Sequence, residues 1–245
     1  MKKIIQVTAL FLLVSTAAYA GVSEMNEKAF NSVKIGADNN DANSLFALGG
    51  MYYQGIGTKK DKAKAAIMYR KAADQGHLKA IFNLAVLYQE GDGVEKDINK
   101  SISLFQEAVE DGDNKSVMHL AEIYYKGTDI KQDYKKAFEL YKVAADAGFP
   151  FAQHQVGIMY KTGKGVGRDM EQAKSYLSKS AMQSCSDAQY SLGKMYLDGD
   201  GLVKNEKEAE TLIKEAYLNG NQEAKAIMDK NGWEALPSTE TLPQE

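Results

Sequence analysis

A chain of 245 residues with 44% hydrophobic content holds enough apolar material for a sizeable core. Its formal net charge of −3 argues against nucleic acid or an anionic membrane as the main partner. A single cysteine, Cys185, excludes a disulfide within the chain and reads either as a small loop side chain or as a reactive, dimer-forming thiol.

Residues 1–20, MKKIIQVTALFLLVSTAAYA, read as a secretory signal peptide. Lys2 and Lys3 give the positive start, Ile4 to Val14 is largely apolar, and Ala18-Tyr19-Ala20 offers small residues around a cleavage site near Ala20. The apolar run is short for a membrane span, which needs about 20 residues. The expectation is a mature protein beginning near Gly21, periplasmic or secreted, with no membrane insertion after cleavage.

From Leu48 onward the sequence repeats itself. Tyr52, Tyr88, Tyr124, Tyr160 and Tyr196 recur every 36 residues, and so do Gly55, Gly91, Gly127, Gly163 and Gly199. A fixed period of this length marks a stack of identical supersecondary units. Residues 21–40 carry Ala29, Val33 and Ala37 at the spacing of Ala65, Tyr69 and Ala73, so they read as a lone second helix capping the stack.

Five full units follow, at 41–76, 77–112, 113–148, 149–184 and 185–220. In each, a first helix presents Ser44, Leu48 and Tyr52 or their equivalents on one face. Gly49, Ala85, Ala121, Gly157 and Gly193 are all small, as close helix contact demands. Paired glycines such as Gly55 and Gly57 reverse the chain. Unit three has Asp129 at the second glycine position, where aspartate tolerates unusual turn geometry. Asp61, Asp97, Asp133, Asp169 and Asn205 supply N-caps to the second helices. A terminal glycine then ends each unit, with Ser184 in its place in unit four. Residues 221–235 read as a C-terminal capping helix with Trp233 folded over it, and 236–245 as a flexible tail.

The string Ala188-x-x-x-Leu192-Gly193-x-x-Tyr196-x-x-Gly199-x-Gly201, with Ala65-x-x-x-Tyr69-x-x-Ala72-Ala73-x-x-Gly76, resembles the Sel1-like repeat, a relative of the tetratricopeptide repeat. The resemblance implies an all-α fold, a right-handed α-solenoid of stacked antiparallel helix pairs. It also implies a monomeric scaffold that binds a protein or peptide, in envelope signalling, host interaction or toxin immunity. A cysteine-rich subgroup of the family is linked with penicillin binding, and this chain lacks its paired cysteines.

By analogy with tetratricopeptide repeats, the partner lies on the first helices, on the face left over from the core. That face carries Phe46 and Tyr53 in unit one, Lys79, Phe82, Val86 and Gln89 in unit two, and Lys115, Met118 and Tyr125 in unit three. It carries His154 and Lys161 in unit four and Tyr190 and Lys194 in unit five. Aromatics mixed with lysine suit a protein interface and an acidic element on the partner. Phe46, Phe82 and Tyr190 read equally well as core between repeats.

Two strings evoke penicillin-recognising hydrolases, the β-lactamase alternative to the scaffold: Ser191-Leu192-Gly193-Lys194 and Lys161-Thr162-Gly163. Their order is reversed relative to those enzymes, and the second falls at a helix end where a strand is needed. Gly163-Lys164-Gly165 has glycine content but no phosphate-loop spacing. His77, His119 and His154 occupy different repeat positions, so no metal site, no cofactor and no catalytic residue is expected.

Overall fold

The computed structural model describes residues 22–234. The expected signal segment 1–20 and tail 236–245 lie outside the described residues. The chain runs as α1 (22–38), α2 (Ala42–Gln54), α3 (Lys62–Ala73), α4 (Leu78–Glu90), α5 (Ile98–Glu110) and α6 (Asn114–Lys126). It continues as α7 (Tyr134–Asp146), α8 (Pro150–Thr162), α9 (Met170–Ala181), α10 (Ser186–Asp198), α11 (Glu206–Leu218) and α12 (Gln222–Asn231). No strand occurs among the described residues. The described residues divide into two compact units, 22–116 and 117–234. In the first, α2 packs on α3, α3 on α4 and α4 on α5; in the second, α7 to α12 pack in the same successive way. Each unit is a stack of antiparallel helix pairs, the α-solenoid class expected from the repeat.

Local chemistry explains the regularity. Asp61, Asp97, Asp133, Asp169 and Asn205 each accept the backbone N–H of the residue three further on, at 2.9–3.1 Å. Each satisfies an orphan donor at a helix start. The same residues donate their own N–H to the carbonyls of Tyr52, Tyr88, Tyr124, Tyr160 and Tyr196, at 2.8–3.0 Å, which closes the turn. Tyrosine and cap are thus locked at a fixed spacing in every hairpin.

The second turn glycine is held by its neighbours as well as by its backbone angle. A Cβ on Gly93 would lie 2.4 Å from the Lys62 carbonyl oxygen, and one on Gly165 would lie 2.0 Å from that of Tyr134. The start of one hairpin's second helix therefore rests directly on the next hairpin's turn. Asp129 departs from the expectation: its turn is built without a left-handed residue at that position. Among the described residues only Asn40 (φ 61°) and Ser184 (φ 60°) adopt positive φ without being glycine. Both stand at the helix stop that Gly76, Gly112, Gly148 and Gly220 fill elsewhere.

Between the helices of a hairpin the contact is close. A Cβ on Gly49 would come within 2.7 Å of the Tyr69 ring, and one on Gly157 within 2.7 Å of Leu177. Ala65, Ala72, Ala137, Ala144, Ala173 and Ala209 are fully buried. Large side chains such as Phe105, Tyr141, Leu177 and Ile213 fill the remaining space, each contributing about 1.5–3 kcal/mol by burial. The repeat tyrosines link neighbouring hairpins: Tyr52 meets the edge of Phe30 at 5.5 Å, and Tyr160 meets Phe138 at 5.2 Å. At the N-terminal end α1 buries Phe30 and Ala37, while Ala29, expected on the inner face, is exposed. At the other end Trp233 packs on the cluster of Ile213, Ala216, Ala224 and Met228. Asp229, at the small-residue position, is exposed and pairs with Lys225.

Candidate binding surface

The first helices turn their core-facing residues inward and leave the predicted row half-covered. In the first unit, Phe46 is packed: its ring lies 5.7 Å from Tyr69 and stacks on His77 at 4.6 Å. Phe82 meets Phe105 edge-on at 5.6 Å. Both rings are half-buried, so they serve the scaffold with one side and face outward with the other. Val86 and Gln89 are half-buried, and Lys79 and Lys115 are exposed. In the second unit Met118, Tyr190 and Lys194 are half-buried. Burial raises the pKa of the Tyr190 hydroxyl, and Glu223 accepts its hydrogen bond.

Tyr53, Tyr125 and Lys161 share a further task that sequence reasoning missed. Tyr53 donates its hydroxyl to Asp92 at 3.1 Å, and Lys62 reaches the same carboxylate at 2.5 Å. The Lys62 ammonium holds the Asp92 carboxyl below the usual carboxylate range, with Tyr53 adding to the effect. In the second unit the Lys164 ammonium sits over both Tyr125 (5.3 Å) and Tyr134 (5.1 Å). One hairpin later Lys161 pairs with Asp200 at 3.0 Å, joined by Arg168 at 3.5 Å. These are three chemical versions of one staple. A residue near the end of a first helix is tied to the turn of the next hairpin. Residue type changes from staple to staple, so no single letter recurs at the period to announce it.

A second missed feature is polar and buried. Gln153 and Gln189 occupy the position where Leu45 and Ile81 stand in the first unit, and both are almost fully enclosed. Gln153 donates to the Ala145 carbonyl at 3.2 Å and accepts from Gln183 at 2.9 Å. Gln189 donates to the Ala181 carbonyl at 3.4 Å and accepts from Asn219 at 2.9 Å. Each amide reaches back to one hairpin and is held by its own, so the buried polar groups are satisfied. The 36-residue spacing of both partners was the available signal.

His154, from the predicted row, lies against the next first helix. Its Nε2 lies 3.1 Å from the Ser191 hydroxyl, and its Nδ1 is buried without a partner. Burial lowers its pKa, with the Asp187 carboxylate opposing. The S-x-x-K serine thus faces a histidine from the neighbouring first helix. The K-T-G string closes α8, with Lys161 held by Asp200 and Gly163 as the left-handed cap. Cys185 is a half-buried free thiol at the start of α10, where it makes no capping hydrogen bond. Among the described residues no cluster of histidine, cysteine and carboxylates can hold a metal ion. No described helix is long and apolar enough to cross a membrane.

Comparison with known proteins fits this architecture. The profile of the Sel1 repeat family matches residues 42–77, 78–113, 115–149, 150–185 and 186–221. The chain belongs to the Sel1 repeat family. Among solved structures, a Sel1 repeat protein from Oxalobacter formigenes is 33% identical, over 89% of this chain and 94% of that one, with a TM-score of 0.71. The protective antigen c5321 of uropathogenic Escherichia coli is 28% identical over 83% of this chain, with a TM-score of 0.77. This chain spans 44% of that antigen's length. The immunity protein Pa5087 of Pseudomonas aeruginosa is 25% identical over 75% of this chain and 67% of that one, with a TM-score of 0.47. No curated protein matches the chain in sequence.

Proposed function

We propose that this protein is an exported scaffold that binds a protein or peptide along the outward face of its first helices. The observation that carries the reading is the composition of that face in each unit. Half-buried aromatic rings are held by their own neighbours, at Phe46 and Phe82 in one unit and Tyr125 and Tyr190 in the other. The first unit adds lysines that reach solvent, at Lys79 and Lys115. Rings already fixed by packing lose little entropy when a partner covers them, which favours recognition by a preformed surface. The lysines call for an acidic element on the partner. Lys161 contributes less to it, because Asp200 holds its charge.

Export rests on the charged start, apolar stretch and small-residue site of residues 1–20. N-terminal sequencing of the mature protein tests it, with Gly21 as the expected first residue.

The binding surface is tested by affinity capture from an envelope extract. The wild-type protein is compared with a variant carrying Lys79→Glu and Lys115→Glu. Both side chains are exposed, so the thermal midpoint should not move. Loss of the captured protein supports the surface; equal capture by the variant overturns it.

A further inference from the structure

The contact between successive second helices is built in two different ways within the second unit. Between α7 and α9 the space is filled by Tyr176. Its ring stacks on Tyr160 at 6.0 Å, and its hydroxyl donates to Asp146 at 3.1 Å. The ammoniums of Lys142 and Lys179 lie 5.6 and 5.1 Å from that ring. One repeat later, between α9 and α11, the residues at the positions of Tyr176, Lys142, Asp146 and Lys179 are Leu212, Ser178, Met182 and Glu215. The filling ring is lost, one lysine is shortened to serine, and the other is reversed in charge.

An open cleft of about 690 Å³ results. Leu192 and Tyr196 of α10 form its floor, Leu212 lines one wall, and Glu208 and Glu215 stand along the same helix. Met182, 84% exposed, stands at the rim. Glu215 accepts a hydrogen bond from the Gln189 amide at 3.2 Å. In three earlier hairpins the position of Glu208 is a lysine lying over the repeat tyrosine. These are Lys64 over Tyr52 (5.5 Å), Lys100 over Tyr88 (4.7 Å) and Lys136 over Tyr124 (5.0 Å). Tyr196 has Lys174 of α9 at 5.9 Å and a carboxylate where its own hairpin's lysine would stand.

We propose that this cleft takes a lysine or arginine side chain of a partner polypeptide. The cation lies over the Tyr196 ring beside the Glu208 and Glu215 carboxylates. It occupies the place that the protein's own lysines fill in earlier hairpins. The apolar residues flanking that side chain rest on Leu192, Leu212 and Met182. Ring face and carboxylates both favour a cation, and the apolar floor favours a side chain on a peptide. On α10 the cleft uses Leu192 and Tyr196, whereas the proposed first-helix surface uses Tyr190 and Lys194. The two sites therefore stand or fall separately.

The test is a titration of the 15N-labelled protein with acetyl-Leu-Lys-Leu-amide, followed by amide chemical shifts. The expected result is saturable shifts confined to the end of α9, to α10 and to α11. The peptide with norleucine in place of lysine should bind about tenfold more weakly, as should the lysine peptide to the Glu208→Gln, Glu215→Gln double variant. Glu208→Lys should abolish binding and raise the thermal midpoint, because the new ammonium covers Tyr196 as Lys136 covers Tyr124. Absence of saturable shifts, shifts centred elsewhere, or equal binding of the norleucine peptide overturns the proposal.

Discussion

The Lys62 ammonium lies 2.5 Å from the Asp92 carboxylate, which belongs to the turn of the next hairpin. Tyr53 donates to the same carboxylate, so three side chains tie two hairpins together. With its carboxyl held low by Lys62, Asp92 binds fewer protons in the folded state than in the unfolded state on the acid side. The stability it contributes is present above about pH 4 and is lost as pH falls through the depressed folded value. Asp92→Asn should lower the thermal midpoint at neutral pH and flatten the acid limb of the stability curve. An unchanged acid limb would place the pH dependence elsewhere.

His154 gives the same sign of pH dependence from a different cause, its pKa being lowered by burial. Between the folded and unfolded values, the unfolded chain carries the extra proton. Stability should therefore fall as pH drops below about 6.5 towards the folded value, and recover as pH rises again. Urea midpoints of wild type and His154→Gln, compared across this range, should diverge, with the variant the flatter of the two.

Gly148 and Gly165 share a left-handed backbone and differ in surroundings. Nothing lies within 4 Å of a Cβ built on Gly148, whereas one on Gly165 meets the Tyr134 carbonyl oxygen. Gly148→Ala should cost about 1 kcal/mol, the strain of the backbone alone. Gly165→Ala should cost at least about 3 kcal/mol, because the hairpins must also separate. Urea unfolding of the two variants measures the difference.

Ser184 holds a left-handed angle that its four glycine equivalents adopt freely. Ser184→Gly should stabilise the protein by up to about 1 kcal/mol, reduced by the greater freedom of glycine in the unfolded chain. Asn40→Gly should gain less, since asparagine tolerates this conformation. Thermal midpoints of the two variants check the order.

The parts of the fold that depend on local chemistry were legible in the sequence. A helix start needs a short acceptor, so Asp61 and its equivalents announced themselves, and Asn205 kept the chemistry when the letter changed. The position of Gly49 demanded a small side chain, and the structure puts a tyrosine ring against it. Features that rest on pairing across hairpins were not legible. Lys62 with Asp92, and Lys164 over Tyr125, do the same mechanical work with different residues. The inward place taken by Phe30 instead of Ala29 follows from the end of the stack, which no periodic rule describes. The row of first-helix positions proposed as the surface was drawn from helical spacing alone. The engagement of Tyr53, Tyr125 and Lys161 in staples, and the contact of His154 with Ser191, required coordinates.

The most direct test of the scaffold reading is hydrogen–deuterium exchange on the protein with its captured partner bound. The account predicts slowed exchange on the first helices, α4, α6 and α8 above all, with α3, α5 and α7 unchanged. Protection confined to those second helices, with α4, α6 and α8 exchanging as in the free protein, would contradict it.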